Sequence, residues 1–322
     1  MTDFTRDITP VFSGHETFPM RYGWLKKVYD ACQPIRKRKK GSIIKDLFNS
    51  DEAIVTLGVG KNMVSSMRHW SVYSSLLDTD NEKNLVINEF ADEIFIDDGL
   101  DPHTENFATL WYLHWNLVTR KISNNNYRNN RLYTYYWFFN FYNGNTFDKD
   151  NLAERILEVL KNNNLKSPSP LTLKRDIECF LGMYSSRVNK NVTDEDNIES
   201  PLTELELFNP LIRRNSFQIN RGIKPTITVY TFLFALLKFW EYYSPNSKTI
   251  SFESICYNPM SPGRIFLLSE DAIVEYLHIL SDVTRGKFEY TETAGMKQII
   301  INSSQKIILN TWALHYFRNN YK

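Results

Sequence analysis

"LGVGKNMVSSMRHW", residues 57–70, decides how the first third of the chain is read. Two glycines precede Lys61 and a run that looks helical, which fits either a phosphate-cradling loop or the turn before a DNA-groove helix. A P-loop needs G-x-x-x-x-G-K-[ST], because backbone N–H groups wrap the phosphates and the hydroxyl holds Mg²⁺. Here Val55 stands where the first glycine belongs, and Asn62 where the hydroxyl belongs. Two of the four fixed positions fail, so no nucleotide is expected. Met63, Met67, Trp70, Ser74 and Leu77 fall at i, i+4, i+7, i+11 and i+14, one stripe of a helix over 61–77. Lys61, Ser65 and Arg68, with Asn62, Ser66 and His69, fill the adjacent arc with donors and no acid. Upstream, "SIIKDLF" (42–48) reads as a short helix and "TLGVG" (56–60) as a turn. Downstream, "NLVINEF" (84–90) and "EIFI" (93–96) alternate like two short strands. Helix, turn, helix and ribbon is the order of a winged helix-turn-helix. A packed helical subdomain with a merely solvated polar face fits the same pattern.

Just before this stretch the charge is concentrated. Residues 21–45 hold Arg21, Lys26, Lys27, Arg36, Lys37, Arg38, Lys39, Lys40 and Lys45 against the single acid Asp30, a local net charge of +8 in a chain whose total is +1. Such a segment is the footprint of phosphate binding, or a solvated basic loop. The chain of 322 residues is long enough for two or three cores, and 14% aromatic residues argue against disorder. Cys32, Cys179 and Cys256 are too far apart in sequence for metal-ligand spacing, and their odd number gives no disulfide framework. "MTDFTRDITP" has no apolar signal core, and the longest apolar run, "FLFALL" (232–237), is far short of a span. The expectation is a cytoplasmic protein of a reducing compartment with no membrane partner.

Helical signals dominate the rest. "RYGWLKKVYDAC" (21–32), "TLWYLHWNLV" (109–118), "LYTYYWFFNFY" (132–142) and "NLAERILEVLKNN" (151–163) read as helices around an Asn-rich loop at 122–131. Residues 170–183 form another, started by Pro170, with Leu173, Ile177, Phe180 and Leu181 inward and Lys174 and Arg175 outward. Helices 151–163 and 170–183 make a second candidate helix-turn-helix. An acidic connector (194–207) and a long buried helix (224–243) follow. In the last portion, "SFESICY" and "SEDAIVEYLHIL" read as helices, and "GKFEYTE" and "MKQIIIN" as strands joined by a turn. The expected fold is mainly α: a multi-helix protein with up to three winged-helix-like units and a few short β ribbons. Residues 1–105 form a winged-helix-like DNA-binding region with the basic segment, and 106–322 a helical domain with further such units.

Three acid-bearing places offer chemistry. Asp98 and Asp101, beside Asp97 in "DDGLDP", have the oxygen ligands that Mg²⁺ or Mn²⁺ prefers, although Asp-Gly and Asp-Pro also simply make turns. "GHETF" sets His15 beside Glu16, close to Arg21, as a candidate proton shuttle, nucleophile activator and phosphate clamp. The competing reading has His15 and Glu16 tethering the first helix. Asp176 and Glu178, interleaved with Lys174 and Arg175, read as a helix surface. HExxH, nucleophile-elbow, Rossmann and zinc patterns are absent from the sequence.

"FSGHETFP", "RYGWLKK", "VTLGVGKNMV", "DGLDP", "TLWYLHW", "YWFFN", "LKRDIECFL", "SPLTEL", "NRGIKP", "SPGRIFLL" and "TAGMKQI" occur in this order between about residues 12 and 300. Together they resemble the domain family of the SspB component of bacterial single-stranded DNA phosphorothioation systems. The resemblance implies a strand-nicking, DNA-binding subunit. Its partners would be a cysteine desulfurase, an ATP pyrophosphatase and an ATPase, in a system that replaces a non-bridging backbone oxygen with sulfur and supports defence against phage. A divalent ion for nicking and a homodimeric assembly are compatible with it. The alternative role is a non-catalytic adaptor that presents DNA to the sulfur-transfer enzymes. "RKRKK" and the Asn-rich loop lie outside the shared blocks, and no catalytic residue transfers from the family.

Overall fold

The computed structural model describes residues 8–37, 44–49, 52–80, 84–123, 129–185, 199–213, 215–293, 295–302 and 309–322. The chain forms two compact units. One takes residues 8–136 and 146–219. The other takes 137–145 and 220–322. The fold is mainly helical with small sheets, as expected. Among the described residues no helix is long and apolar enough to cross a membrane.

The first unit opens with β1 (Ile8–Val11), α1 (Trp24–Lys37), α2 (Ile44–Asn49), α3 (Glu52–Leu57) and α4 (Lys61–Tyr73). α3 was not anticipated. It stops at Gly58, whose φ of +61° suits glycine, and Gly60 begins α4 without a side-chain cap. α4 is shorter than the stripe predicted. It ends at Tyr73, Ser74 closes it, and Leu77 is buried as the start of a strand instead. That strand, β2 (Leu77–Thr79), pairs antiparallel with β3 (Leu85–Ile87). "EIFI" is therefore not a strand: residues 93–95 belong to α5 (Glu89–Phe95) and Ile96 ends it. The Asn88 side chain accepts from the Phe90 and Ala91 N–H groups, and Phe90, Ala91, Ile94 and Phe95 recur at helical spacing on the buried face.

α6 (Phe107–Thr119) is capped by Asn106 and buried almost all round. The Asn-rich segment is not all loop. β4 (Ile122–Ser123) and β5 (Asn129–Leu132) flank residues 124–128, which lie outside the described ones, and β1 joins β5 in parallel. α7 (Tyr133–Phe141) follows. β6 (Thr146–Asp148) then runs straight into α8 (Lys149–Asn162), with Asp148 ending the strand and capping the helix. α9 (Pro170–Tyr184) starts at Ser169, which caps it, with Pro170 in its first turn. Residues 194–198 of the connector lie outside the described ones; its described part holds a 3₁₀ turn over Pro201–Leu205, after which β7 (Phe208–Pro210) and β8 (Ser216–Ile219) form an unanticipated hairpin. β8 lies between β7 and β6, antiparallel to both. Phe147 stacks on Phe217 and meets Phe208 edge-on, giving this sheet its core.

The second unit repeats that order. α10 (Val229–Tyr243) leads to β9 (Thr249–Ser251), whose last residue caps α11 (Phe252–Tyr257). α12 (Pro262–Ile265) and α13 (Glu270–Thr284) precede the hairpin β10 (Phe288–Thr293) and β11 (Met296–Ile301), and α14 (Leu309–Phe317) closes the chain. β11 lies between β10 and β9, the arrangement of β8 between β7 and β6. The buried Arg264 spreads its guanidinium over the C-terminal end of α7, donating to the Asn140 and Tyr142 carbonyls and the Asn143 side chain. Cation and helix C-terminus satisfy each other there.

Candidate nucleic-acid interface

The loop 14–20 is the junction of the first unit. Gly14 has φ +102°, and a β-carbon on it would fall 2.7 Å from Nδ1 of His69. Glu16 and Thr17 are left-handed as well, at φ +47° and +66°. Such backbone persists only where its surroundings hold it, and here three ties do so. The Phe18 carbonyl accepts from Ser66 Oγ and from Trp70 Nε1 at 2.9 Å, both on α4. His15 Nε2 lies 3.1 Å from the Asp176 carboxylate on α9, while its Nδ1 accepts the Thr17 N–H. The Met20 N–H donates to the Met183 sulfur, again on α9. One short loop thus joins α4 to α9.

These contacts revise the reading of His15 and Asp176. His15 is buried and both ring nitrogens are engaged, so it bolts the loop to α9. It tethers α4 and α9, not the first helix. Asp176 is not on a helix surface. It is buried, and its second oxygen accepts from the Thr134 hydroxyl. Sequence held the signal: position 176 is three after Leu173 and four before Phe180, on the apolar stripe itself. A carboxylate on a core stripe needs partners. Glu16 stays exposed at the loop tip, and Arg21 lies over the Phe18 and Trp24 rings at 5.7 and 5.8 Å.

Asp98 and Asp101 do not form a pair of free ligands. Asp98 is exposed, whereas Asp101 is buried with one oxygen on the Glu105 N–H and the other on the Asn106 N–H. The turn reading accounts for "DDGLDP": a β-carbon on Gly99 would strike three backbone carbonyls at 2.6–2.7 Å. Asp97 and Asp30 each hold Lys26 at 2.6 Å. Burial pulls the Lys26 ammonium down, but these carboxylates outweigh it and hold its pKa above the ordinary value. Among the described residues no three His, Cys, Asp or Glu side chains are grouped to hold a metal.

The basic arc is divided. Lys61, Asn62, Ser65 and Arg68 are exposed along α4, but Ser66 is buried against the loop. His69 packs edge-on to Trp70 at 4.9 Å and near Tyr73 at 4.8 Å and is only partly exposed. Lys27 is exposed and its ammonium lies over the turn before α4, 3.9 Å from where a β-carbon on Gly58 would be. Beside it an open cleft of about 380 Å³ is lined by Lys26, Lys27, Asp30, Thr56 and His103. Lys174 and Arg175 are exposed on α9, as expected. Arg36 and Lys37 close α1; Arg38, Lys39 and Lys40 lie outside the described residues.

His69 makes stability depend on pH. Part of its surface reaches solvent, yet its Nε2 is buried with no hydrogen-bond partner among the described residues. Burial first, then His15 and Arg68, lower its pKa from 6.5 to about 3. The unfolded chain takes up the proton near 6.5 and the folded chain does not, so this contribution is present above pH 6.5 and is lost as pH falls toward 3. Between pH 7 and 5 the wild type should lose about 2 kcal/mol more than His69→Phe. Urea unfolding at both pH values checks this, and equal losses would show that His69 is not the sensing group.

The fold is SspB-like. It matches a crystal structure of magnesium-ion-bound SspB with TM-score 0.83 and 24% identity, over 100% of this chain and 90% of that one. A second SspB crystal structure matches with TM-score 0.81 and 24% identity, over 98% and 89%. The chain belongs to the family described as protein of unknown function DUF4007, whose profile spans residues 12–317. No curated protein matches it.

Proposed function

We propose that this chain is the DNA-binding component of a backbone sulfur-modification, or phosphorothioation, system with a role in phage defence. Its partners are then DNA and the desulfurase, pyrophosphatase and ATPase components. The observation behind the reading is the pair α4 and α9. Each turns polar or basic residues outward, Lys61, Asn62, Ser65 and Arg68 on one and Lys174 and Arg175 on the other, while a single loop fixes both inner faces. The α9 module reads as a winged helix, because strand, helices and hairpin with the last strand central is the order that presents a helix to a groove, while α4 is followed by the plain two-stranded ribbon β2–β3. The third module is the contrast: α13 exposes Glu270, Asp271, Glu275 and Asp282, which phosphates repel. The SspB-like fold supports the sulfur-modification context.

Strand nicking is a second reading, favoured by the exposed Glu16 held in left-handed backbone a few residues before Arg21. Among the described carboxylates, Asp101 and Asp176 each accept hydrogen bonds at both oxygens, and Asp30 and Asp97 share Lys26. Purified protein should bind duplex DNA with an affinity that falls steeply with salt. Supercoiled plasmid with Mg²⁺ or Mn²⁺ then separates the roles. Open circles that disappear with EDTA or with Glu16→Gln support nicking; bound but intact plasmid supports the adaptor. Absence of DNA binding at low salt overturns both.

A further inference from the structure

We infer that the tip of the β7–β8 hairpin is a wedge that enters the minor groove of duplex DNA; this rests on the DNA-binding reading. The tip is Leu211-Ile212-Arg213, and Ile212 is wholly in solvent at 107% relative exposure, with Leu211 at 38%. The turn is braced. The Leu211 N–H donates to the Ser216 carbonyl at 2.9 Å, the Ser216 N–H donates to the Arg213 carbonyl, and the Lys149 N–H at the start of α8 donates to the Asn215 carbonyl. Asn215 takes the left-handed conformation, φ +63°, that lets the chain reverse. A fully hydrated isoleucine contributes nothing to the core, so folding does not account for it.

Its neighbours indicate the occupant. Arg213, Asn209, Asn215 and Gln218 are exposed around it and supply cationic and amide donors, while the nearby acids Asp148 and Asp150 lie at the start of α8, Asp148 paired with Ser216 and capping that helix. The corresponding hairpin β10–β11 has Glu289 and Glu292 instead, the latter facing Lys297. One leading apolar side chain is too small for a protein interface, which needs about 800 Å² per partner. A narrow ribbon with an apolar point and an arginine behind it suits a groove. The wedge slips between base pairs and unstacks a step, and the arginine lies in the negative potential of the narrow groove.

The test uses the full chain and duplexes with 2-aminopurine at successive steps and a donor–acceptor dye pair at the ends. Wild type should raise 2-aminopurine fluorescence at one step and bring the ends closer. Ile212→Ala should lose most of both signals while affinity falls less than about tenfold, because phosphate contacts dominate affinity. Ile212→Leu should retain them, and the melting temperature should not change. Binding without unstacking or bending, or an Ile212→Ala protein that unstacks like wild type, overturns the wedge and leaves the DNA reading intact. No binding at all overturns both. Ile212-dependent binding to phosphatidylglycerol vesicles in place of DNA also overturns it.

Discussion

Trp70→Ala is expected to destabilise the protein by roughly 3–5 kcal/mol, the range for removing a large aromatic from a packed core. Trp70 has no exposed surface. Its ring stacks on His15 at 6.2 Å and meets His69 and Tyr135 edge-on, and its Nε1–H holds the Phe18 carbonyl. Deletion opens a cavity and also frees the loop that joins α4 to α9. Trp70→Phe helps separate these effects: it keeps much of the volume but loses the Nε1–H bond and part of the ring, so it should cost less than alanine, about 1–2 kcal/mol. Urea titration monitored by far-UV circular dichroism measures both. An alanine variant as stable as wild type would mean that this face of α4 is not core.

The second large effect is on DNA. Charge reversal of Lys61 and Arg68 to glutamate should weaken duplex binding on the order of 100-fold at physiological salt and reduce the slope of log K against log salt by about two. Both residues are exposed on α4, which has no acid, and its first turn keeps backbone N–H groups without a side-chain cap. The N-terminal end of a helix attracts phosphate for the same reason. Fluorescence anisotropy over a salt series, with Glu270→Lys on α13 as a control outside the proposed surface, reads the result. Unchanged affinity and slope would remove α4 from the interface.

Local pattern alone gave much of this molecule. The apolar stripes of α8, α9 and α13 were legible because burying an apolar stripe is a property of neighbours in sequence, α6 and α10 were legible as apolar runs, and Ser269 was legible as a cap. The hairpin β10–β11 was equally local, two alternating runs with a turn between them. The outward direction of Lys61, Arg68, Lys174 and Arg175 followed from the same periodicity. Short strands were not legible: β1, β7 and β8 have only three or four residues, β1 pairs with the distant β5, and β8 pairs with β6 as well as with its hairpin neighbour β7. "EIFI" alternates and is helical all the same, since four residues cannot separate period 2 from period 3.6 once an asparagine caps the turn before them. The tertiary structure alone decided the roles of His15 and Asp176. They stand 161 residues apart, and only folding brings the imidazole to the carboxylate. Desolvation then turns a plausible proton shuttle and a plausible surface acid into one buried bond. A sequence gives the residues available for chemistry, but burial and long-range partners decide which of them remain free to perform it.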